Sequence, residues 1–141
     1  MRIGVDCIGV GCGALLVNDK NETLLLKRSS KTRNEAGFWS KPGGGVEFGE
    51  KIEDTLKREV KEELGVDIGE IRFLSFTDSI MKDDGQHWIS LNYCAKIIKG
   101  EPKNLEPHKH DEIKWFKLDN LPENVNEYTM DAIRDYIKLT K

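Results

Sequence analysis

A chain of 141 residues, 38% hydrophobic and 33% charged, is long enough for one domain with a buried core. Its formal net charge of −3 leaves no basic footprint for non-specific binding of a nucleic-acid polymer. No apolar run is long enough to span a membrane, and no signal-peptide pattern opens the chain; three cysteines read as unpaired thiols make a reducing cytoplasm the expected location.

Residues 3–17 are β-branched and glycine-rich and read as one long strand. Cys7 and Cys12, an odd number apart on such a strand, would face opposite ways. With Cys94 they predict three unpaired thiols in a reducing compartment, used for core packing. The turn NDKN at 18–21 and a second strand at 23–27 predict a hairpin. Lys27 and Arg28 end that strand, and a polar loop over 29–37 adds Lys31 and Arg33. These bases are solvated loop charges or, leading into an acidic segment, candidate binders of phosphate.

In FWSKPGGG, residues 38–45, Pro42 restrains the backbone, while Gly43 to Gly45 let it come close to a ligand or metal. The stretch that follows has helical period and places Glu59, Glu62 and Glu63 within five residues. At about 100° per residue, Glu59 stands beside both other glutamates, and the like charges repel unless a cation joins them. Ile52, Val60 and Leu64 cluster around Leu56 on the helical wheel. Glu63 falls about 20° and Glu59 about 60° from Leu56, at the border of that apolar stripe. The carboxylates are therefore expected to face the protein. Gly65 is placed to end the helix in a left-handed conformation.

Farther along, 71–79 and 87–98 read as strands separated by a turn at 83–85. Trp88, Leu91 and Tyr93 are sheet-core residues or a surface for stacking a base, and His87 reads as structural. A polar loop, EPKNLEP, precedes a strand at 112–118. Met130, Ile133, Tyr136 and Ile137 lie at helical spacing and predict an amphipathic helix against one face of the sheet.

The segment from Gly44 to Val66 resembles the Nudix box, G-x5-E-x7-R-E-U-x-E-E-x-G-U with U aliphatic. It matches at Gly44, Glu50, Arg58, Glu59, Val60, Glu62, Glu63, Gly65 and Val66. Seven fixed identities arise by chance on the order of once in 10⁹ positions, so coincidence is set aside. The resemblance implies a mixed β-sheet sandwiched between α-helices, an α/β/α sandwich with the box as loop–helix–loop. It implies Mg²⁺ or Mn²⁺ held by Glu59, Glu62, Glu63 and the Gly43 carbonyl, with one glutamate, best Glu59, orienting water. By the same likeness Glu50 and Arg58 pair structurally, and the loop resembles the MutT-like E-P-x-x-x-E, whose second glutamate, here Glu106, joins the metal site.

Before the proline the family usually has an apolar residue, and here stands Lys41. It points to solvent or reaches the phosphates, and repulsion from a nearby cation favours solvent. The implied reaction is hydrolysis of a nucleoside diphosphate linked to X, foremost a (d)NTP cut to (d)NMP and pyrophosphate. An ADP-ribose or nucleotide-sugar pyrophosphatase is the alternative, although no proline stands between Val66 and Pro102, where members of that kind often carry one. A silent nucleotide sensor is a further alternative, against which the intact glutamates argue. The expected partner is a small nucleotide, with neither nucleic acid nor membrane, and a homodimer is compatible with the sequence.

Overall fold

A computed structural model describes residues 1–32 and 35–141. Arg33 lies outside the described residues. The elements in order are β1 (Gly9–Leu16), β2 (Glu22–Arg28), β3 (Trp39–Ser40), β4 (Gly43–Gly45), α1 (Ile52–Leu64), β5 (Asp67–Met81), β6 (Gln86–Lys99), β7 (His110–Lys117) and α2 (Glu127–Leu139). A single 3₁₀ turn, Lys82–Asp84, joins β5 to β6.

The strands form two sheets, β4-β1-β6-β5 and β3-β2-β7. This corrects the expected hairpin: β1 and β2 belong to different sheets and share one isolated bridge, Val17 with Thr23. The turn explains the departure. Asn18 Oδ1 accepts from the N–H of Lys20 (3.0 Å) and of Glu22 (2.9 Å), and Asn21 takes a φ of 60°. That Asx-type turn carries the chain from one sheet to the other instead of folding it back in register.

β1 is also shorter than expected. Residues 2–7 form a tight turn, closed by Gly4 N–H to Cys7 carbonyl at 2.8 Å and Asp6 N–H to Arg2 carbonyl at 2.8 Å. Gly4 sits at a φ of 84°, and a Cβ there would lie 2.3 Å from the indole nitrogen of Trp88. Cys7 therefore leaves the strand and is exposed, contrary to the core-packing expectation, while Cys12 and Cys94 are buried; all three are free thiols.

β1 is hydrogen-bonded at both edges, parallel to β6 and antiparallel to β4, and its two faces pack into two separate cores. Its buried run is consequently continuous rather than alternating. Ala14 and Leu16 meet Leu24, Leu26, Leu56, Val60 and Leu64 in a core between β1, β2 and α1. Leu15 and Val17 meet Cys94, Leu118 and Ile133 in a second core under α2. Each fully buried leucine contributes about 1.5–3 kcal/mol of transfer free energy, so the two cores anchor α1 and α2 on the β-structure. This is the α/β/α arrangement, with the strands shared between two sheets.

Both helix ends follow local chemistry. Glu53 and Asp54 occupy the first turn of α1, where the helix dipole favours anions. Gly65 ends it at a φ of 74°, its N–H bonding the Lys61 carbonyl. Asn126 caps α2 by accepting from the Thr129 N–H at 3.2 Å. Ile133 is buried on that helix, whereas Met130 and Ile137 remain exposed. Among the described residues, no helix is long and apolar enough to cross a membrane.

Candidate active site

β4 brings its glycines against the glutamate face of α1. The Gly43 N–H donates to Glu63 Oε1 at 2.9 Å. A Cβ on Gly43 would lie 2.1 Å from the Cys12 carbonyl oxygen, and one on Gly44 would lie 2.4 Å from Glu59 Cδ. The Gly43 contact is with the β1 backbone, so that position requires glycine, whereas a side chain at Gly44 would displace the Glu59 carboxylate. Glu63 is 6% exposed, as the helical wheel predicts, and burial pushes its carboxyl up to about 8. Glu59 is half-buried and also raised by burial, against the lowering pull of Arg58.

Arg58 is the counterweight. Its Nε and Nη2 form a fork on Glu50 at 2.8 and 2.9 Å, and Nη1 reaches Glu59 Oε1 at 2.9 Å and Glu62 Oε1 at 3.4 Å. The guanidinium holds the Glu50 carboxyl down to about 2. Glu50 is also fixed by the Thr55 hydroxyl at 2.6 Å, a partner that the box pattern does not mark. Glu62 is exposed at the rim.

The loop over 101–109 is pinned to the end of α1. Lys103 N–H donates to the Leu64 carbonyl and Leu105 N–H to the Glu63 carbonyl, both at 3.0 Å, using acceptors that a helix end leaves over. Glu106 and the first residue of β7, His110, are thereby carried to Glu63. One ligand atom from each of Glu63, Glu106 and His110 lies within 4.8 Å of the others. His110 is buried, and burial moves its imidazole down to about 4, so the ring is neutral near pH 7. The sequence offered one signal for it, a histidine four residues after the loop glutamate, a spacing that a turn closes.

These groups open on a cavity of about 360 Å³ lined by the β4 glycines, Glu63 and His110. Trp88, Gln86, Glu35, Glu127 and Tyr128 line it as well. Arg28 lines it, but Lys27, its neighbour on β2, does not; the Lys27 ammonium lies 6.0 Å above the Trp39 ring. The pairing with β7 shifts register between the two residues, and only Arg28 of the pair lines the cavity. Trp88 stands at the cavity, with its Nε1 donating to Gln86 Oε1 at 2.9 Å.

Lys41 corrects the expectation of a solvent-facing ammonium. It is 6% exposed, its Nζ donates to the Tyr128 carbonyl at 3.1 Å and lies 4.5 Å above the Tyr128 ring. Gly13 makes room, since a Cβ there would lie 2.9 Å from Lys41 Cε. Burial drives the ammonium down to about 7, with Asp131 pulling the other way. Lys41 N–H donates to Thr129 Oγ1 at 3.1 Å, so backbone and ammonium are both tied to the start of α2.

A NUDIX-domain family model matches residues 8–136. The chain belongs to the Nudix family. The crystal structure of a MutT NUDIX hydrolase from Burkholderia pseudomallei superposes with a TM-score of 0.84 at 39% identity, covering 90% of this chain and 96% of that one. An ADP-ribose pyrophosphatase from Methanocaldococcus jannaschii is 33% identical over 123 residues, 87% of this chain and 70% of that protein. A NAD-capped RNA hydrolase NudC from Stutzerimonas stutzeri is 34% identical over 103 residues, and the match spans 35% of its length.

Nudix hydrolases act on small nucleotides with divalent cations, and the donor set here fits such an ion. Oxygens bound to one cation at about 2.0–2.6 Å lie up to about 4–5 Å apart, the spread found among these ligand atoms. A raised carboxyl beside further acceptors is also the state a cation would relieve.

Two outcomes follow for this Nudix site. Gly44→Ala should displace the Glu59 carboxylate and lower kcat by roughly 10-fold or more, since an ångström of misplacement is costly. Its melting temperature, read by calorimetry, should fall far less than the activity. Cation affinity should rise with pH as Glu63 loses its proton, by about ten-fold per unit below pH 8, and level off above it. Titration calorimetry in two buffers of different ionisation enthalpy should detect the released proton, and Glu63→Gln should abolish its release.

Proposed function

We propose that this Nudix hydrolase cleaves a nucleoside triphosphate, (d)NTP, to (d)NMP and pyrophosphate. The observation that carries the reading is the cavity itself. Its roughly 360 Å³ is lined by the Glu63 carboxylate, the β4 glycines and the Arg28 and Lys41 side chains together with the Trp88 and Tyr128 rings. Small-molecule pockets run from about 300 to 1,000 Å³, so the volume suits one nucleoside better than a dinucleotide. The superposition on the MutT hydrolase supports the same choice.

In this reading Glu59, Glu62, Glu63, Glu106 and the Gly43 carbonyl hold the cation. When bound, a divalent cation neutralises phosphate oxygens and lowers the pKa of a water. The chain's own groups do the rest. Glu59 is engaged by Arg58 through Oε1, and its Oε2 is left to accept the proton of the attacking water. Arg28 and Lys41, both on the cavity wall, hold phosphate oxygens in line for displacement. Trp88 offers its ring to the base. Glu50 and Arg58 fix the loop before α1, and Gly65 ends the helix so that the loop over 101–109 can return to it.

The 33% identity to an ADP-ribose pyrophosphatase favours a second reading, cleavage of ADP-ribose to AMP and ribose 5-phosphate. A panel of NTPs, dNTPs, oxidised dGTP, ADP-ribose and nucleotide sugars separates the two, with pyrophosphate and orthophosphate both quantified. NMP and pyrophosphate should appear from a triphosphate. Faster turnover of ADP-ribose would promote the second reading, and orthophosphate as the first product would sink both. Glu63→Gln should lower kcat by roughly 10²-fold or more with an unchanged or slightly raised melting temperature in chelator, because a buried acid gives way to a neutral amide of the same shape.

A further inference from the structure

The loop ahead of β7 delivers a nitrogen base to the buried carboxylate of α1. His110 Nε2 stands 3.5 Å from Glu63 Oε2, and the two face each other without a hydrogen bond. Glu63 Oε1 is already occupied by the Gly43 N–H. The other ring nitrogen of His110, Nδ1, is buried and has no hydrogen-bond partner among the described residues. A histidine serving only the core usually spends a ring nitrogen on a nearby polar group, because an unmet buried one is costly. This ring spends neither on the protein, while its backbone is firmly held: His110 N–H bonds the Glu106 carbonyl at 3.0 Å, and its carbonyl accepts from Asn104 Nδ2 at 2.8 Å.

We propose that His110 is a metal ligand, completing with Glu63 and Glu106 a mixed nitrogen–oxygen position that takes a first-row transition ion such as Co²⁺ ahead of Mg²⁺. The proposal rests on the reading of this cavity as the hydrolytic site. Ligand atoms at about 2.0–2.2 Å from one ion are at most about 4.4 Å apart. Those of the three residues lie within 4.8 Å, so a shift of a few tenths of an ångström brings them into range. The polar neighbour in the way is Lys109, whose Nζ lies 3.5 Å from Glu106 Oε2; its side chain is more than half exposed and can swing to solvent.

Ion choice follows from donor type. Sets of carboxylate, carbonyl and water suit Mg²⁺ and Mn²⁺, whereas imidazole draws the later first-row ions. In the proposed reading Glu59, Glu62 and the Gly43 carbonyl supply oxygen donors of the first kind. The position at His110 is of the second.

The test uses the whole chain and two metal ions. Co²⁺ and Mg²⁺ binding are titrated on wild type and on His110→Gln, and the Co²⁺-loaded wild type is examined by proton NMR. Wild type should bind Co²⁺ at least about ten-fold more tightly than Mg²⁺. His110→Gln should lose about 10- to 100-fold in Co²⁺ affinity while Mg²⁺ affinity changes less than about three-fold. The Co²⁺ form should show a hyperfine-shifted, solvent-exchangeable imidazole N–H resonance that the variant lacks. A Co²⁺-loaded wild type that hydrolyses nucleotide without that resonance overturns the proposal and leaves the hydrolytic reading intact. A wild type that binds neither ion overturns both. The resonance is read on wild type, so the test survives a variant that fails to fold.

Discussion

One constraint governs this molecule: several carboxylates must share one end of a helix without driving it apart. Glu59, Glu62 and Glu63 repel one another at helical spacing, and Glu63 is in addition nearly out of solvent. Three devices meet the constraint in the absence of a cation. Arg58 spreads one guanidinium over Glu50, Glu59 and Glu62. The Gly43 N–H supplies a dipole to Glu63. Burial lets Glu63 keep its proton to about pH 8, which removes its charge instead of neutralising it.

Much of the fold exists to deliver these devices. Gly43 lets β4 lie close against β1 and Gly44 leaves room for the Glu59 carboxylate of α1, and β4 is held there by antiparallel pairing with β1. β1 is in turn fixed by a parallel pairing with β6 over its whole length. A fault in that central strand would therefore be felt at Glu63 without touching a carboxylate. Arg58 works in the opposite direction. By clamping Glu50 it anchors the loop before α1, so the same residue that quiets the glutamates also sets where the helix begins.

What the sequence reveals about this protein follows from the range of its signals. The helical period of α1, its end at Gly65 and the inward aim of Glu63 are local signals, and they are legible residue by residue. The division of β1 and β2 between two sheets is not, because both strands are buried on both faces and carry no alternation to set their partners. His110 escapes notice for a related reason. It lies far along the chain from Glu63, and the contact is made by hydrogen bonds from residues 103 and 105 to helix carbonyls, which leave no mark on side-chain pattern. Lys41 misleads in a different way: a lysine beside a glycine run reads as solvated, and the Tyr128 carbonyl and ring that hold its ammonium lie far along the chain.

That buried lysine changes the electrostatics of the whole cavity. Burial moves Glu63 up to about 8 and Lys41 down to about 7, so both groups are drawn toward their uncharged forms. Each shift has desolvation as its largest cause, and each lowers the cost of keeping an ionisable group in a site with little water. A cation brought to Glu63 favours its carboxylate form, and a phosphate oxygen brought to Lys41 favours its ammonium form. The two charges thus appear together when a metal–polyphosphate pair enters, each next to its opposite. In the proposed reading the cavity receives that pair with groups it holds partly discharged beforehand, which is how a lysine can stand where the family usually keeps an apolar side chain.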